Sequence, residues 1–229
     1  MKTIGILGGM SAASTQIYYR ELCRLTRETL GGLHSPELLI RSVDFDEIER
    51  LQVSSNWEAA ADILNEKAIA LERGGAELLI LATNTMHKVA DRILAGVSIP
   101  FVHIADATAT AILDGGFRKP GLMATAFTME HNFYTDRLAA RGLLPTIPEA
   151  GDRAETHRII YDELCCDVVT NASRSTYELI AQRLIDRGCD CLILGCTEVG
   201  MLLDQDNVAV PVFDTTLIHC EAALRAALD

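Results

Sequence analysis

The chain has 229 residues, 49% of them hydrophobic, and a formal net charge of −12. That apolar content can bury a full core and excludes general disorder. The negative field repels phosphate backbones and anionic lipid surfaces, so the expected partner is a small molecule, with no nucleic acid and no membrane.

Met1 and Lys2 lead directly into an apolar run, Thr3 to Leu7, that reads as a strand. No apolar stretch has bilayer-spanning length, and the protein is expected to be cytoplasmic. Gly8 and Gly9 then read as a tight turn, and because G-x-G-x-x-G is absent a dinucleotide is not expected there. A helix is predicted over Ser14 to Leu30, a strand over Leu38 to Val43, a helix over Trp57 to Arg73 and a strand over Leu78 to Leu81. Helix Met86 to Ala95, strand Phe101 to Ile104 and helix Ala105 to Asp114 follow. The second half continues with strand Gly121 to Met123, helices Met129 to Arg141, Glu155 to Leu164 and Arg174 to Arg187, strands Cys191 to Leu194 and Val210 to Phe213, and helix Thr216 to Leu228. This alternation predicts an α/β fold of mainly parallel sheets flanked by helices, with ligands bound beyond the carboxyl ends of the strands.

The seven cysteines are odd in number, and Cys189, Cys191 and Cys196 fall in an apolar strand segment, so reduced thiols are the expectation. C-D-C and the adjacent Cys165-Cys166 do not have zinc-ligand spacing, and no metal is expected.

Gly75 to Thr85 (GAELLILATNT) aligns without gaps on Gly188 to Glu198 (GCDCLILGCTE), which sets Thr83 against Cys196. Each unit is a glycine, an acidic residue, a buried strand and a polar tip. The flanks repeat too: Ile99-Pro100-Phe101-Val102 resembles Val210-Pro211-Val212-Phe213, and Gly5-Ile6-Leu7 resembles Gly121-Leu122-Met123. Two pseudo-symmetric domains are therefore expected, 1-105 with a C-terminal segment of about 212-229 as the first and 106-211 as the second, with the active site in the cleft between them. Small residues at strand ends commonly do no more than cap the following helix. The repeat argues for function, because it puts a hydroxyl and a thiol at related places. Racemisation at an α-carbon needs two acid/base groups on opposite faces, and a thiol titrates near neutrality, the more so at a helix start such as Thr197.

Together I-G-I-L-G-G-M-S (Ile4 to Ser11), T-N-T-M-H (Thr83 to His87) and G-C-T-E (Gly195 to Glu198) resemble the cofactor-independent aspartate/glutamate racemases, and the similarity extends to D-F-D-E-I-E (Asp44 to Glu49), H-I-A-D-A-T (His103 to Thr108), I-I-Y-D-E-L (Ile159 to Leu164) and F-D-T-T (Phe213 to Thr216). The resemblance implies two facing α/β domains, a homodimer, no pyridoxal phosphate or metal, and one catalytic cysteine from each domain. The chain departs from that pattern at Thr83, which stands where the usual members carry the first cysteine; Cys196 keeps the second. A hydroxyl is a poor base that can donate a proton or hold a water. An asymmetric enzyme is expected, preferring the L form by resemblance to threonine-bearing members.

Asn84, Thr85 and Thr197, with the amides at helix starts, are candidate partners of the substrate α-carboxylate, with Met10 and Ser11 lining the same floor. Gln52 resembles a substrate-contacting position in related racemases; Arg50 beside it is either a cation for the substrate side chain or a solvated helix end. Cys165 stands where aspartate-strict members carry a lysine, which widens the range to glutamate, whereas Glu198 replaces the histidine of glutamate-specific relatives. His87 reads as structural or as a substrate contact. The alternatives are a one-cysteine decarboxylase or isomerase of the same superfamily, and a non-catalytic amino-acid-binding protein.

Overall fold

The computed structural model describes residues 1–166 and 168–229, and it divides into two compact units. The first comprises Met1–Ile104 and His219–Asp229; the second is Ala105–Ile218.

The first unit is built on a parallel sheet of β1 (Ile4–Gly8), β2 (Leu38–Ser42), β3 (Leu78–Leu81) and β4 (Phe101–Val102), in the order β2-β1-β3-β4. Its connections are α1 (Ala12–Leu30), α2 (Phe45–Val53), α3 (Trp57–Arg73) and the short α4 (Ala90–Ile93). Strand side chains alternate between two cores, as a pleated backbone requires. Ile4, Ile6, Leu78 and Ile80 pack with Tyr18 and Leu22 of α1 and with Cys220, Ala223 and Leu224 of the C-terminal segment. Leu7, Leu79 and Leu81 face Ala60, Leu64 and Ala68 of α3 on the other side. Burial on both faces explains why these strands are continuous apolar runs.

The second unit begins in α5 (Ile104–Asp114) and carries β5 (Pro120–Met123), β6 (Cys191–Leu194) and β7 (Val212–Asp214) in the order β5-β6-β7, with α6 (Ala126–Glu130), α7 (Phe133–Ala140), α8 (Ala150–Asp162) and α9 (Asn171–Asp186) between them; α10 (Thr215–Leu228) closes the chain. Met123, Leu192 and Leu194 share a core with Ile159 and Ile160 of α8 and with Tyr177, Ile180 and Leu184 of α9. An isolated parallel bridge from Gly121 to Thr146 flanks β5 where β2 flanks β1. The chain thus returns to the first unit after Ile218, later than the expected 212, because Val212 and Phe213 pair with Leu192 and Ile193. Among the described residues no helix is long and apolar enough to cross a membrane.

The repeat holds residue for residue in strand register. Gly5 pairs with Leu79 as Gly121 pairs with Leu192, and Leu79 pairs with Phe101 as Leu192 pairs with Val212. The main-chain bond Ala82 N–H to Leu7 C=O (2.9 Å) has its counterpart in Gly195 N–H to Met123 C=O (2.8 Å). Even the acidic residue ahead of each strand does one job: Glu77 accepts from Thr3 N–H at 2.9 Å, and Asp190 accepts from Arg118 and Lys119 N–H at 2.9 Å each. Each carboxylate joins its strand to the start of the neighbouring one.

Three expected elements differ in kind or extent. Met86 to Ala95 is a 3-10 turn, Thr85–Val89, followed by α4; Met129 to Arg141 is broken into α6 and α7; Glu155 to Leu164 begins earlier, at Ala150, and ends in a 3-10 turn, Leu164–Cys166. The helix α2 was not expected. Its start carries a readable signal, since Asp44 caps it by accepting from Asp46 N–H at 3.2 Å and Asp46 and Glu47 fill the first turn.

Candidate active site

In the first unit, β1 runs into Gly8 and Gly9, and both glycines are sterically required. A Cβ on Gly8 would lie 2.5 Å from Thr15 Oγ1, and Gly9 has φ +91° with a Cβ position 2.3 Å from the Val43 carbonyl oxygen. Thr15 accepts from Gly9 N–H at 2.8 Å and donates to Ser11 C=O at 3.0 Å, while Ser11 caps α1 by accepting from Ser14 N–H at 3.2 Å. The turn is thus held by its own chain. Met10, expected on a substrate floor, is buried in the core with Ile48 and Met86. Gln52 is buried as well, its Nε2 donating to Met86 Sδ at 3.1 Å. Arg50 lies on the exposed face of α2 paired with Asp46, which is the solvated helix end. Lys88 stacks 4.0 Å over the Trp57 ring.

The tip of β3 carries three of the expected residues. Thr83 is half-buried, whereas Asn84 and Thr85 beside it are buried. Thr83 N–H donates back to Leu81 C=O at 2.9 Å, and the Thr83 carbonyl accepts from His87 Nδ1 at 2.7 Å. His87, from the same T-N-T-M-H motif, therefore holds the main chain at Thr83.

In the second unit Cys196 and Thr197 are both half-buried at the tip of β6, next to buried Gly195 and Glu198. Cys196 Sγ donates to Glu198 Oε2 at 2.9 Å, and Thr197 Oγ1 donates to the same oxygen at 2.7 Å. One carboxylate oxygen gathers the thiol and the hydroxyl. Burial raises the thiol well above its ordinary value, the Glu198 charge and hydrogen bond raise it further, and Cys165 adds to this. The expected lowering by a helix start is overturned. The segment after Cys196 is a five-residue 3-10 turn, Thr197–Met201, with little dipole to offer, and the thiol faces a carboxylate two residues on. Glu198, which the sequence offers only as a mark of substrate class, is the residue that holds the Cys196 thiol. The available signal was its spacing from Cys196. Cys165, in the turn after α8, packs with Tyr161 and Cys196 against the core of the second unit.

By register, Thr83 is equivalent to Cys196, Asn84 to Thr197 and Thr85 to Glu198. The two tips therefore follow equivalent strands and carry different chemistry: a thiol held by a carboxylate, and a hydroxyl on a turn held by an imidazole.

Known proteins share this fold. Residues 7–223 match the family described as Asp/Glu/Hydantoin racemase. A candidate Asp/Glu racemase of Yersinia pestis is 45% identical in sequence, with a TM-score of 0.93 over 100% of both chains, and an aspartate racemase homologue from Pyrococcus horikoshii is 38% identical, with a TM-score of 0.87 over 100% of both. The broad-specificity amino-acid racemase of Bacillus subtilis is 21% identical over 98% of each chain. With its two parallel-sheet units, its repeated strand tips and a family match over nearly its whole length, the chain belongs to the Asp/Glu/Hydantoin racemase family.

Proposed function

We propose that this chain racemises an acidic amino acid, aspartate or glutamate, without a cofactor, Cys196 removing the α-hydrogen of the L form and the Thr83 side returning one to the opposite face. Family membership carries the coarser statement, that the chain is an amino-acid racemase and so an isomerase. The finer reading rests on the register equivalence of Thr83 and Cys196, combined with a carboxylate beside only one of them. The Cys196 proton passes from Sγ to Glu198 Oε2, leaving a thiolate whose raised proton affinity makes it a strong base toward a weakly acidic Cα–H. The thiolate takes the α-hydrogen. The carbanion then receives a proton from the Thr83 hydroxyl or from a water held by it, Glu198 gives its proton to solvent, and solvent returns one to the Thr83 side, which restores both groups. Thr85, at the place equivalent to Glu198, has no carboxylate, so abstraction from the opposite face is slow and the L form is the better substrate.

Acidic substrates are favoured by resemblance to the aspartate and glutamate racemases, with Gln52, Asn84, Thr85 and Thr197 as polar partners. Cys165 at the lysine position of aspartate-strict members extends the range to glutamate. A homodimer is proposed on the same resemblance.

The test is deuterium exchange at Cα in D2O, followed by NMR, with L- and D-aspartate and L- and D-glutamate offered to wild type and Cys196→Ala. Exchange from an L form, lost in Cys196→Ala, supports the reading. Absence of exchange from all four would replace it with a one-thiol decarboxylase or a binding protein.

A further inference from the structure

We infer that His87 is a positioning residue for the Thr83 half of the reaction, its ring setting where the Thr83 hydroxyl stands; this rests on the racemase reading of Thr83. At the tip of β6 the Cys196 carbonyl accepts a main-chain bond from Val199 N–H at 3.1 Å, closing the 3-10 turn on itself. At the equivalent tip of β3 the Thr83 carbonyl accepts instead from an imidazole, His87 Nδ1, at 2.7 Å. There the main chain closes its 3-10 turn one residue later, His87 N–H donating to Asn84 C=O at 3.2 Å, and the Thr83 carbonyl is held by the side chain.

That ring is not free to adjust. Its Nε2 accepts from Ile104 N–H, the first residue of α5, at 3.3 Å. A carbonyl only accepts and an amide only donates, so the two bonds assign the hydrogen to Nδ1 and leave Nε2 bare. The ring is buried and packed on several sides, with ring centroids 4.5 Å from His103, 5.6 Å from Phe101 and 5.9 Å from His219. Swinging it away would vacate a core site.

The functional consequence follows from the difference between the two tips. A thiol backed by a carboxylate tolerates small displacements, since its proton has an acceptor wherever the pair moves together. A threonine hydroxyl is a weak acid whose contribution depends on alignment with the carbanion, and misplacement by an ångström costs on the order of a hundredfold in such steps. Losing the His87 bond frees the Thr83 carbonyl and with it the backbone that carries the hydroxyl. The loss falls on proton return to the second face and spares abstraction at Cys196.

The experiment separates the two half-reactions in D2O with L-aspartate and L-glutamate. Deuterium entering the retained L form reports abstraction and return at Cys196, and appearance of the D form reports return from the Thr83 side. In His87→Gln the amide reaches toward the Nε2 position and loses the Thr83 bond; in His87→Asn an amide N–H stands close to the place of Nδ1 and keeps it. D-form production in His87→Gln is expected to fall by about tenfold or more, with exchange into the L form and KM within about twofold of wild type and inversion largely restored in His87→Asn. Equal loss of exchange and inversion, or inversion at the wild-type rate, would overturn the positioning role while leaving the racemase reading intact. If His87→Gln does not fold, His87→Leu, which fills the buried site without either bond, decides: an exchange-to-inversion ratio raised about tenfold upholds the role, and a ratio near wild type overturns it. A wild-type protein that neither exchanges nor inverts refutes the racemase reading itself, and this inference with it.

Discussion

Replacing His219 by glutamine should flatten the loss of stability of the first unit on acidification. His219 is fully buried on α10, where Nε2 donates to the Val102 carbonyl at 2.8 Å and Nδ1 accepts from the Tyr18 hydroxyl at 2.7 Å. Both nitrogens serve a neutral ring, and burial pushes its pKa down to about 4 from an ordinary 6.5. Below pH 6.5 the unfolded chain therefore binds a proton that the native state refuses until the pH nears 4. The stability contributed by the neutral ring is fully present above 6.5 and is lost as the pH falls toward 4. At about 1.4 kcal/mol per pH unit, the loss is about 2 kcal/mol by pH 5 and about 3 kcal/mol by pH 4. Glutamine keeps an amide N–H for Val102 and does not titrate. The single tryptophan, Trp57, lies in the same unit as His219, so its fluorescence reports the relevant transition in urea. Wild type should lose about 2 kcal/mol more than His219→Gln between pH 7 and pH 5. Whatever stability the substitution itself costs cancels in that difference. Equal losses in the two proteins would refute the burial argument.

Three further outcomes follow from the site and its scaffold. Thr83→Cys supplies the second thiol, and turnover of the D form should rise by about tenfold or more; an unchanged or lower rate would remove Thr83 from the second face. Glu198→Gln removes the charge that helps raise the Cys196 thiol and the base that takes its proton, so alkylation of the Cys196 peptide by iodoacetamide should shift to lower pH while racemisation falls by about 10- to 100-fold. A pH profile of alkylation identical to wild type would show that Glu198 does not act on the thiol. Gly121→Ala would place a Cβ 2.7 Å from Leu192 Cδ2 and 3.1 Å from Leu184 Cδ1, at the β5 to β6 contact. Thermal unfolding should register a loss of about 1–3 kcal/mol, and a wild-type midpoint would mean that the leucines repack freely.

Much of the architecture was legible because strands buried on both faces leave a simple mark, a short unbroken apolar run, and because the same run occurs twice. Leu78–Leu81 and Cys191–Leu194 were read with their observed limits, and the gapless alignment carried the register as well: Thr83 and Cys196 are equivalent because each follows its strand by the same step. Turns leave a weaker mark. Periodicity marked Met86 to Ala95 as a helix, yet the chain spends that stretch on a 3-10 turn that lets His87 reach back to the Thr83 carbonyl and sideways to Ile104.

The sequence by itself determined the α/β class, the duplication and the two residues set at equivalent tips, since hydrophobic pattern and residue identity are local properties. Only the tertiary structure decided that the Cys196 proton faces Glu198 and that His87 is bonded at both nitrogens. It also decided that Met10 and Gln52 are buried and that the chain re-enters the first unit after Ile218. The physical reason is that a hydrogen bond or a pKa depends on which groups the turns bring within about 3 Å and how much water they exclude. Neither is written in the period of the apolar residues.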